Sequence, residues 1–234
     1  IKIMSKILAF IPARGGSKGI PNKNIKLFNG KPLIEWTIRS ALKSKSIDKV
    51  IVSSDSQKIL SISKKIGAEV VLRPKSISGD FATTESAIKH YINIVKESFD
   101  TIVLLSPTSP IRKIKDIDNT VKEFRSKKLD SCFSASRLND FLIWKLNKKT
   151  KKFSSINYDY KNRGVRQGRE LNYVENGSIY VFKSDLINYK NNRLSGKIGM
   201  YLMDFWQSFE IDEKSDWKLL ETIYQKFILK NDGR

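Results

Sequence analysis

The residues most able to do chemistry come early, in the run Arg14, Gly15, Gly16, Ser17, Lys18 and Gly19, with Asn24 just behind. Glycines let a backbone approach a ligand and turn its N–H groups inward. An arginine adds a planar fork of donors and a lysine a compact point charge, a combination suited to a triphosphate. The loop is neither familiar phosphate loop. Lys18 is followed by Gly19 and Ile20, not by Ser or Thr as a Walker A loop requires, and G-x-G-x-x-G is absent. A glycine-rich surface turn with solvated charges is the plainer alternative. A second candidate is Glu210-Ile211-Asp212. Carboxylates two apart at a strand end point the same way and can hold a divalent cation; alternatively Asp212 caps the following helix. In a third, Ser106-Pro107-Thr108-Ser109-Pro110-Ile111-Arg112, the two prolines stiffen the chain that carries Ser109 and Arg112. His90 and Cys132 are the single histidine and cysteine, so Ser-His-Asp and Cys-His mechanisms have no basis.

Something must position these groups. Ile7 to Ile11 is an unbroken apolar run ended by Pro12, the pattern of a strand buried on both faces. Lys49 to Ser53, Glu69 to Leu72, Thr101 to Leu105 and Ser131 to Ser136 read as further strands. Apolar stripes between them read as helices: Leu33, Ile34, Ile38, Ala41 and Leu42 behind Pro32; Ile59, Leu60 and Ile66, closed by Gly67; Ala87, Ile88, Tyr91, Ile92 and Val95, capped by Thr84; and Ile117, Val121 and Phe124. This alternation predicts an α/β chain with a Rossmann-like, mostly parallel sheet flanked by helices. In such a sheet the loops Arg14–Asn24, Arg73–Thr84 and Ser106–Arg112 each leave the carboxyl end of a strand, so they converge on one nucleotide cleft. Between 137 and 173 the alternation stops. Leu142 to Leu146 and Lys152 to Ile156 read as short strands around a lysine-rich turn, in a small inserted lobe rather than a second domain. Ser178 to Phe182 reads as a strand, Phe205 to Ile211 as a late strand. A last helix from about Ser215 buries Trp217, Leu220, Tyr224 and Phe227.

A chain of 234 residues, 40% hydrophobic, suits one α/β domain over 1–234. Lys+Arg 44 against Asp+Glu 24 leaves +20. The lysines are spread rather than gathered on one tail or helix, which describes a solvated surface that also steers anions. A nucleic-acid-binding protein is the reading this charge invites, but no such motif is present, so no nucleic acid is expected as partner. No apolar stretch approaches the ~20 residues of a membrane span, and the start lacks a signal-peptide core. With one cysteine, a cytoplasmic location away from membranes is expected.

The segment IPARGGSKGIPNKN resembles the first signature of the CMP-sugar-acid synthetases, the cytidylyltransferases that activate sialic acid and related nine-carbon acids. The resemblance runs from about Ile7 to Tyr224 with further segments in order. It implies CTP and an anionic nine-carbon sugar acid as partners, an anomeric hydroxyl attacking the α-phosphorus in line, and pyrophosphate as leaving group. Arg14 and Lys18 would then be the catalytic cations, binding the nucleotide with Gly15, Gly16 and Ser17. Asn24, Arg73, Ala82 and Thr84 would contact the nucleoside. The loop Ser106–Arg112 is similar to the family's Gln-Pro-Thr-Ser-Pro-Leu-Arg, which implies that Ser106, Thr108, Ser109 and Arg112 face the sugar. The sialic-acid enzymes usually carry Gln where Ser106 stands, so the acceptor stays open among sialic, legionaminic and pseudaminic acids. Arg166, Gln167, Asn176 and Tyr180 match segments that bind the sugar acid or build a homodimer contact. Glu210, where Asp is usual, and Asp212 match the segment that holds Mg²⁺ (or Mn²⁺). A catalytically silent relative that keeps the fold as a nucleotide-binding module would carry the same resemblance.

Overall fold

The computed structural model describes residues 6–16, 19–138, 141–168 and 170–229. Ser17 and Lys18 lie outside them, as does the side chain of Arg166. Along the chain come β1 (Ile7–Pro12), the short β2 (Leu27–Phe28) and β3 (Lys31–Pro32), α1 (Leu33–Lys43), β4 (Lys49–Ser54), α2 (Gln57–Ile66), β5 (Glu69–Leu72) and α3 (Thr84–Ile94). Then follow β6 (Thr101–Leu105), α4 (Ile114–Ser126), β7 (Ser131–Leu138), β8 (Trp144–Leu146), β9 (Phe153–Ser155), β10 (Asn172–Lys183), α5 (Asp185–Tyr189), β11 (Ile198–Met203) and α6 (Lys214–Tyr224).

Seven strands form one sheet in the order β11-β7-β10-β6-β1-β4-β5. β1 pairs in parallel with β4 and β6, β4 with β5, and β7 with β11. β10 runs antiparallel to both its neighbours, β6 and β7. β1 is apolar throughout because helices cover both faces of the sheet. Ile7, Ala9 and Ile11 share a core with Ile34 and Ile38 of α1 and Ile117 and Val121 of α4. Leu8 and Phe10 share another with Ala87, Ile88 and Tyr91 of α3. Each large side chain buried this way stabilises the fold by roughly 1.5–3 kcal/mol over an exposed one. Leu42, read as part of the α1 stripe, is instead 44% exposed.

Local chemistry sets the helix ends. Ser56 accepts from the Ile59 N–H at the start of α2, and Gly67, at φ 112°, closes it. Thr83, not Thr84, caps α3, accepting from the Ser86 N–H at 3.1 Å. That releases Thr84 from the capping role. At α6 the Asp216 carboxylate takes the Asp212 and Glu213 N–H groups, so Asp212 does not cap that helix. Along the last apolar face Ile228 is buried and Phe227 only half-buried.

One expected strand is absent from its place. Phe205 to Ile211 forms a 3-10 turn, Phe205–Ser208, followed by irregular chain. The edge position beside β7 belongs instead to β11, Ile198–Met203. Gly199 obscures that strand in the sequence. Its missing Cβ would stand 2.2 Å from a Leu129 methyl, so a packing contact replaces a side chain. Between β7 and β10, β8 and β9 pair antiparallel as a hairpin apart from the main sheet. It leaves Trp144, Leu146, Phe153 and Ile156 exposed.

Candidate active site

At the carboxyl edge of the sheet lies a cavity of about 730 Å³, ample for a nucleotide-sized ligand. The half built after β1 and β5 contributes Arg14, Lys23, Asn24, Arg73, Asp80, Ala82 and Thr84. The half built after β6 and along β10 contributes Ser106, Thr108, Gly177 and Tyr180, with Arg193, Glu210 and Asp212 from later chain.

The first half is shaped by backbone. Past the end of β1, Ala13 still donates to the Ser53 carbonyl at 2.9 Å, and Gly15 N–H donates to Asp55 Oδ1 at 2.8 Å. Asn24 Nδ2 donates to the Arg14 carbonyl at 3.0 Å and closes the loop. Gly19 passes so near the Asp212 carbonyl that a Cβ would sit 2.3 Å from its oxygen. Here glycine is required by proximity. Lys23 Nζ donates to the Ile211 carbonyl at 2.7 Å and lies 3.2 Å from Asp212 Oδ1. Arg14 pairs with Asp80 Oδ1 at 3.0 Å. Arg73 is buried, with Nη2 on the Ser53 carbonyl at 3.2 Å. Burial lowers its pKa, and neighbouring Arg14 adds to this while Asp55 opposes it. Arg73 Nε and Asn24 Oδ1 are buried and make no hydrogen bond within the described residues.

The second half is a relay of side chains. Ser106 Oγ lies 2.7 Å from Thr108 Oγ1, which donates to Glu210 Oε2 at 2.8 Å. The Thr108 hydroxyl proton points at the carboxylate, so Ser106 donates to Thr108. Ile211, buried between Glu210 and Asp212, donates its N–H to the Thr108 carbonyl at 2.9 Å and fixes the pair against the loop. Gly177, at φ 65°, faces Glu210: a Cβ there would lie 2.1 Å from Oε1. Burial raises the Glu210 carboxyl, aided by Asp212 and opposed by the Thr108 bond. Tyr180 OH donates to Glu175 Oε1. Burial, with that bond, holds the phenol well above its usual pKa.

The structure does not bring every sequence candidate to the cavity. Arg112 is almost wholly buried behind it. Its Nε donates to Ser178 Oγ at 3.0 Å, Nη1 to Thr37 Oγ1 at 3.3 Å, and Nη2 to the Ser106 and Ser178 carbonyls, both at 2.8 Å. Burial pulls its pKa down to about 10. It is a clamp between β6, β10 and α1, not a sugar contact. Asn176 is likewise buried, accepting from Ser134 Oγ at 2.6 Å and the Ser178 N–H at 3.2 Å, and it braces the β10 bulge between Glu175 and Tyr180. Ser109 is fully buried. The three side chains were legible as polar residues in a stiff loop or turn, but polarity does not reveal which way a side chain faces. Gly15, Gly16 and Gln167 do not line the cavity, and Gln167 is exposed in the turn Arg166–Gly168. Ser17 and Lys18 fall outside the described residues. Of the residues not singled out, Lys23 and Asp80 lay within segments already noted. Arg193, in the plain polar run Asn191-Asn192-Arg193, had no sequence signal.

Fold and cleft together define a mostly parallel α/β protein with its ligand cleft at the carboxyl edge of the sheet. Residues 8–233 match the family model described as Cytidylyltransferase. The chain is 34% identical over 226 residues to N-acylneuraminate cytidylyltransferase of Escherichia coli O18:K1:H7, a match covering 95% of this chain and 53% of that one. It is 32% identical over 228 residues to CMP-N,N'-diacetyllegionaminic acid synthase of Legionella pneumophila, covering 94% of this chain and 97% of that one. The chain thus spans about half the length of the first relative and nearly all of the second. A solved CMP:2-keto-3-deoxy-manno-octonic acid synthetase complexed with CTP shares the fold at a TM-score of 0.72 and 16% identity, with 95% and 99% of the two chains covered. The protein belongs to the cytidylyltransferase family.

Proposed function

We propose that this protein transfers CMP from CTP to the anomeric hydroxyl of a sialic-acid-type nine-carbon sugar acid, releasing pyrophosphate. The observation that carries the reading is the cleft: a cationic, backbone-rich half facing a half with two carboxylates and paired hydroxyls, in a chain matched to the family from 8 to 233. The names of the Escherichia coli and Legionella relatives support a sugar-acid acceptor; legionaminic and pseudaminic acids are the alternatives to sialic acid.

Transfer at phosphorus asks the protein for alignment and charge neutralisation. In this reading Arg14 and Lys18 hold the β- and γ-phosphates, and Lys23 adds a third cation, while the Gly15 N–H is held by Asp55. Preorganised cations there stabilise the charge that builds on departing pyrophosphate. Arg73 Nε and Asn24 Oδ1, without a hydrogen-bond partner among the described residues, address the nucleoside with the Ala82 backbone and Thr84. Ser106, Thr108 and Tyr180 face the acceptor, with Arg166 and Gln167 assigned to its approach. Glu210 and Asp212 fit Mg²⁺ (or Mn²⁺) by donor chemistry. Both offer hard oxygens at the cavity. Two carboxylates leave the remaining octahedral positions to water and phosphate oxygens. Bound there, the ion would polarise phosphate oxygens. The exposed Trp144, Leu146 and Phe153 of the β8–β9 hairpin support a homodimer joined through the 137–173 lobe. Light scattering should return twice the chain mass for the wild type and the single mass for a Trp144→Ser/Phe153→Ser variant. We place the reaction in the cytoplasm, in keeping with the single, buried thiol of Cys132. Among the described residues no helix is long and apolar enough to cross a membrane.

Pyrophosphate release with CTP and Mg²⁺, measured across a panel of nine-carbon sugar acids, tests the proposal. Release with one acid establishes reaction and acceptor together. CTP binding without release for any acid supports a nucleotide-binding relative without turnover. No CTP binding removes the reading.

A further inference from the structure

Resting on that reading, we propose that Arg193 determines acceptor specificity by binding a carbonyl or carboxylate oxygen of the incoming sugar acid. Four cationic side chains line the cavity among the described residues: Arg14, Lys23, Arg73 and Arg193. The first three follow β1 and β5, in the half assigned to the nucleotide. Arg193 comes from the loop between α5 and β11 and is the cation of the opposite half.

Its placement is built rather than incidental. Nε donates to Glu85 Oε1 at 2.7 Å, and Glu85, nearly buried in the first turn of α3, follows Thr84 on the cavity wall. The guanidinium carbon lies 4.9 Å from the centroid of the Tyr180 ring, within reach of a cation–π contact. Tyr180 is itself held by Glu175. With Nε occupied by the carboxylate and the fork held over an aromatic face, the two terminal amino groups are left without a hydrogen-bond partner among the described residues. A planar fork held by its back edge is the arrangement that takes a planar oxygen acceptor. Two groups of a sugar acid offer that chemistry, its carboxylate and the carbonyl of an acylamino substituent. Lysine would keep the charge beside Glu85 but lose the fork.

The test is steady-state pyrophosphate release by wild type, Arg193→Lys and Glu85→Gln. Each is assayed with an N-acylated nine-carbon acid and with its analogue bearing hydroxyl in place of the acylamino group. Loss of one charge-assisted bond predicts a KM for the acid raised roughly 10- to 100-fold in Arg193→Lys. The KM for CTP and the CTP-induced thermal shift stay within about twofold of wild type. Glu85→Gln, which keeps Arg193 but loosens it, shows a smaller change in the same direction. A rise confined to the N-acylated acid assigns the acyl carbonyl, and an equal rise for both assigns the carboxylate. An active wild type with an unchanged acid KM in Arg193→Lys overturns this inference alone. A wild type that binds CTP but turns over no acid overturns it together with the proposed function.

Discussion

Arg14 and Asn24 stand ten residues apart and are already bonded to each other, whereas Thr108 meets its carboxylate at Glu210, 102 residues on. The contrast is one of degree, since the nucleotide half also reaches Asp55, Asp80 and the Ile211 carbonyl. The nucleotide half is centred on the loop after β1, with glycines where the chain passes close to Ser56 and to the Asp212 carbonyl. The acceptor half joins the end of β6, the bulge of β10 and two later loops, and like the other half, with its buried Arg73, it buries charged groups. Local binding loops tolerate side-chain loss because little else leans on them. An assembled wall does not, because a buried donor or acceptor left alone costs about 1–3 kcal/mol. The halves should therefore respond differently to substitution.

The largest effect is expected in the loop. Arg14→Ala and Lys18→Ala should each lower kcat/KM for CTP by about 100-fold or more. Melting should hardly move for Arg14→Ala, because its single described ion pair, to Asp80, is partly exposed. A large loss of stability with near-normal turnover in that variant would break the comparison.

Arg112→Met should do the reverse. It removes the guanidinium from Thr37 Oγ1, Ser178 Oγ and the Ser106 and Ser178 carbonyls, each carbonyl keeping one other donor, and denaturant unfolding should show a loss of about 2–4 kcal/mol. The protein that remains folded should still bind CTP.

Gly177→Ala combines a left-handed backbone with a Cβ driven onto Glu210. The backbone alone costs roughly 1–2 kcal/mol. Turnover should fall by about tenfold while the thermal shift produced by CTP persists. Loss of CTP binding would mean the halves are not separable.

Glu210→Gln sharpens the comparison through pH. Burial raises the wild-type carboxyl, so the folded state prefers it protonated. Its contribution is full below the ordinary carboxylate range and is lost as pH rises through the raised value. The glutamine variant should consequently melt above wild type near neutral pH and converge with it in acid, while turning over more slowly. Melting curves that stay parallel at every pH would show that Glu210 is not held as described.

Much of this was legible without coordinates, for identifiable reasons. β1 was readable because two-sided burial leaves a continuous apolar run, and α1, α3 and α4 because a 3.6-residue stripe faces one core. The hairpin was readable from two short apolar runs around a lysine-rich turn. β11 was not, because Gly199 removes a side chain where Leu129 packs, and Phe205 to Ile211 imitated it with a similar apolar content. Arg112 and Asn176 were visible as polar residues beside a binding loop, yet only packing reveals that they point inward. Arg193 carried no signal, since its meaning lies in Glu85 and Tyr180, 108 and 13 positions away.

The chain by itself determined the α/β alternation, the glycine-rich cationic loop after the first strand and the family to which the motifs belong. These depend on contacts between near neighbours, and near neighbours leave periodic or contiguous patterns. Tertiary structure alone decided which polar residues line the cavity and which serve as buried clamps. It also decided that Glu210 and Asp212 share a wall with Thr108, and that Arg193 stands across the cavity from the loop after β1. Those outcomes depend on which distant segments the sheet order brings together, and no local pattern encodes that order.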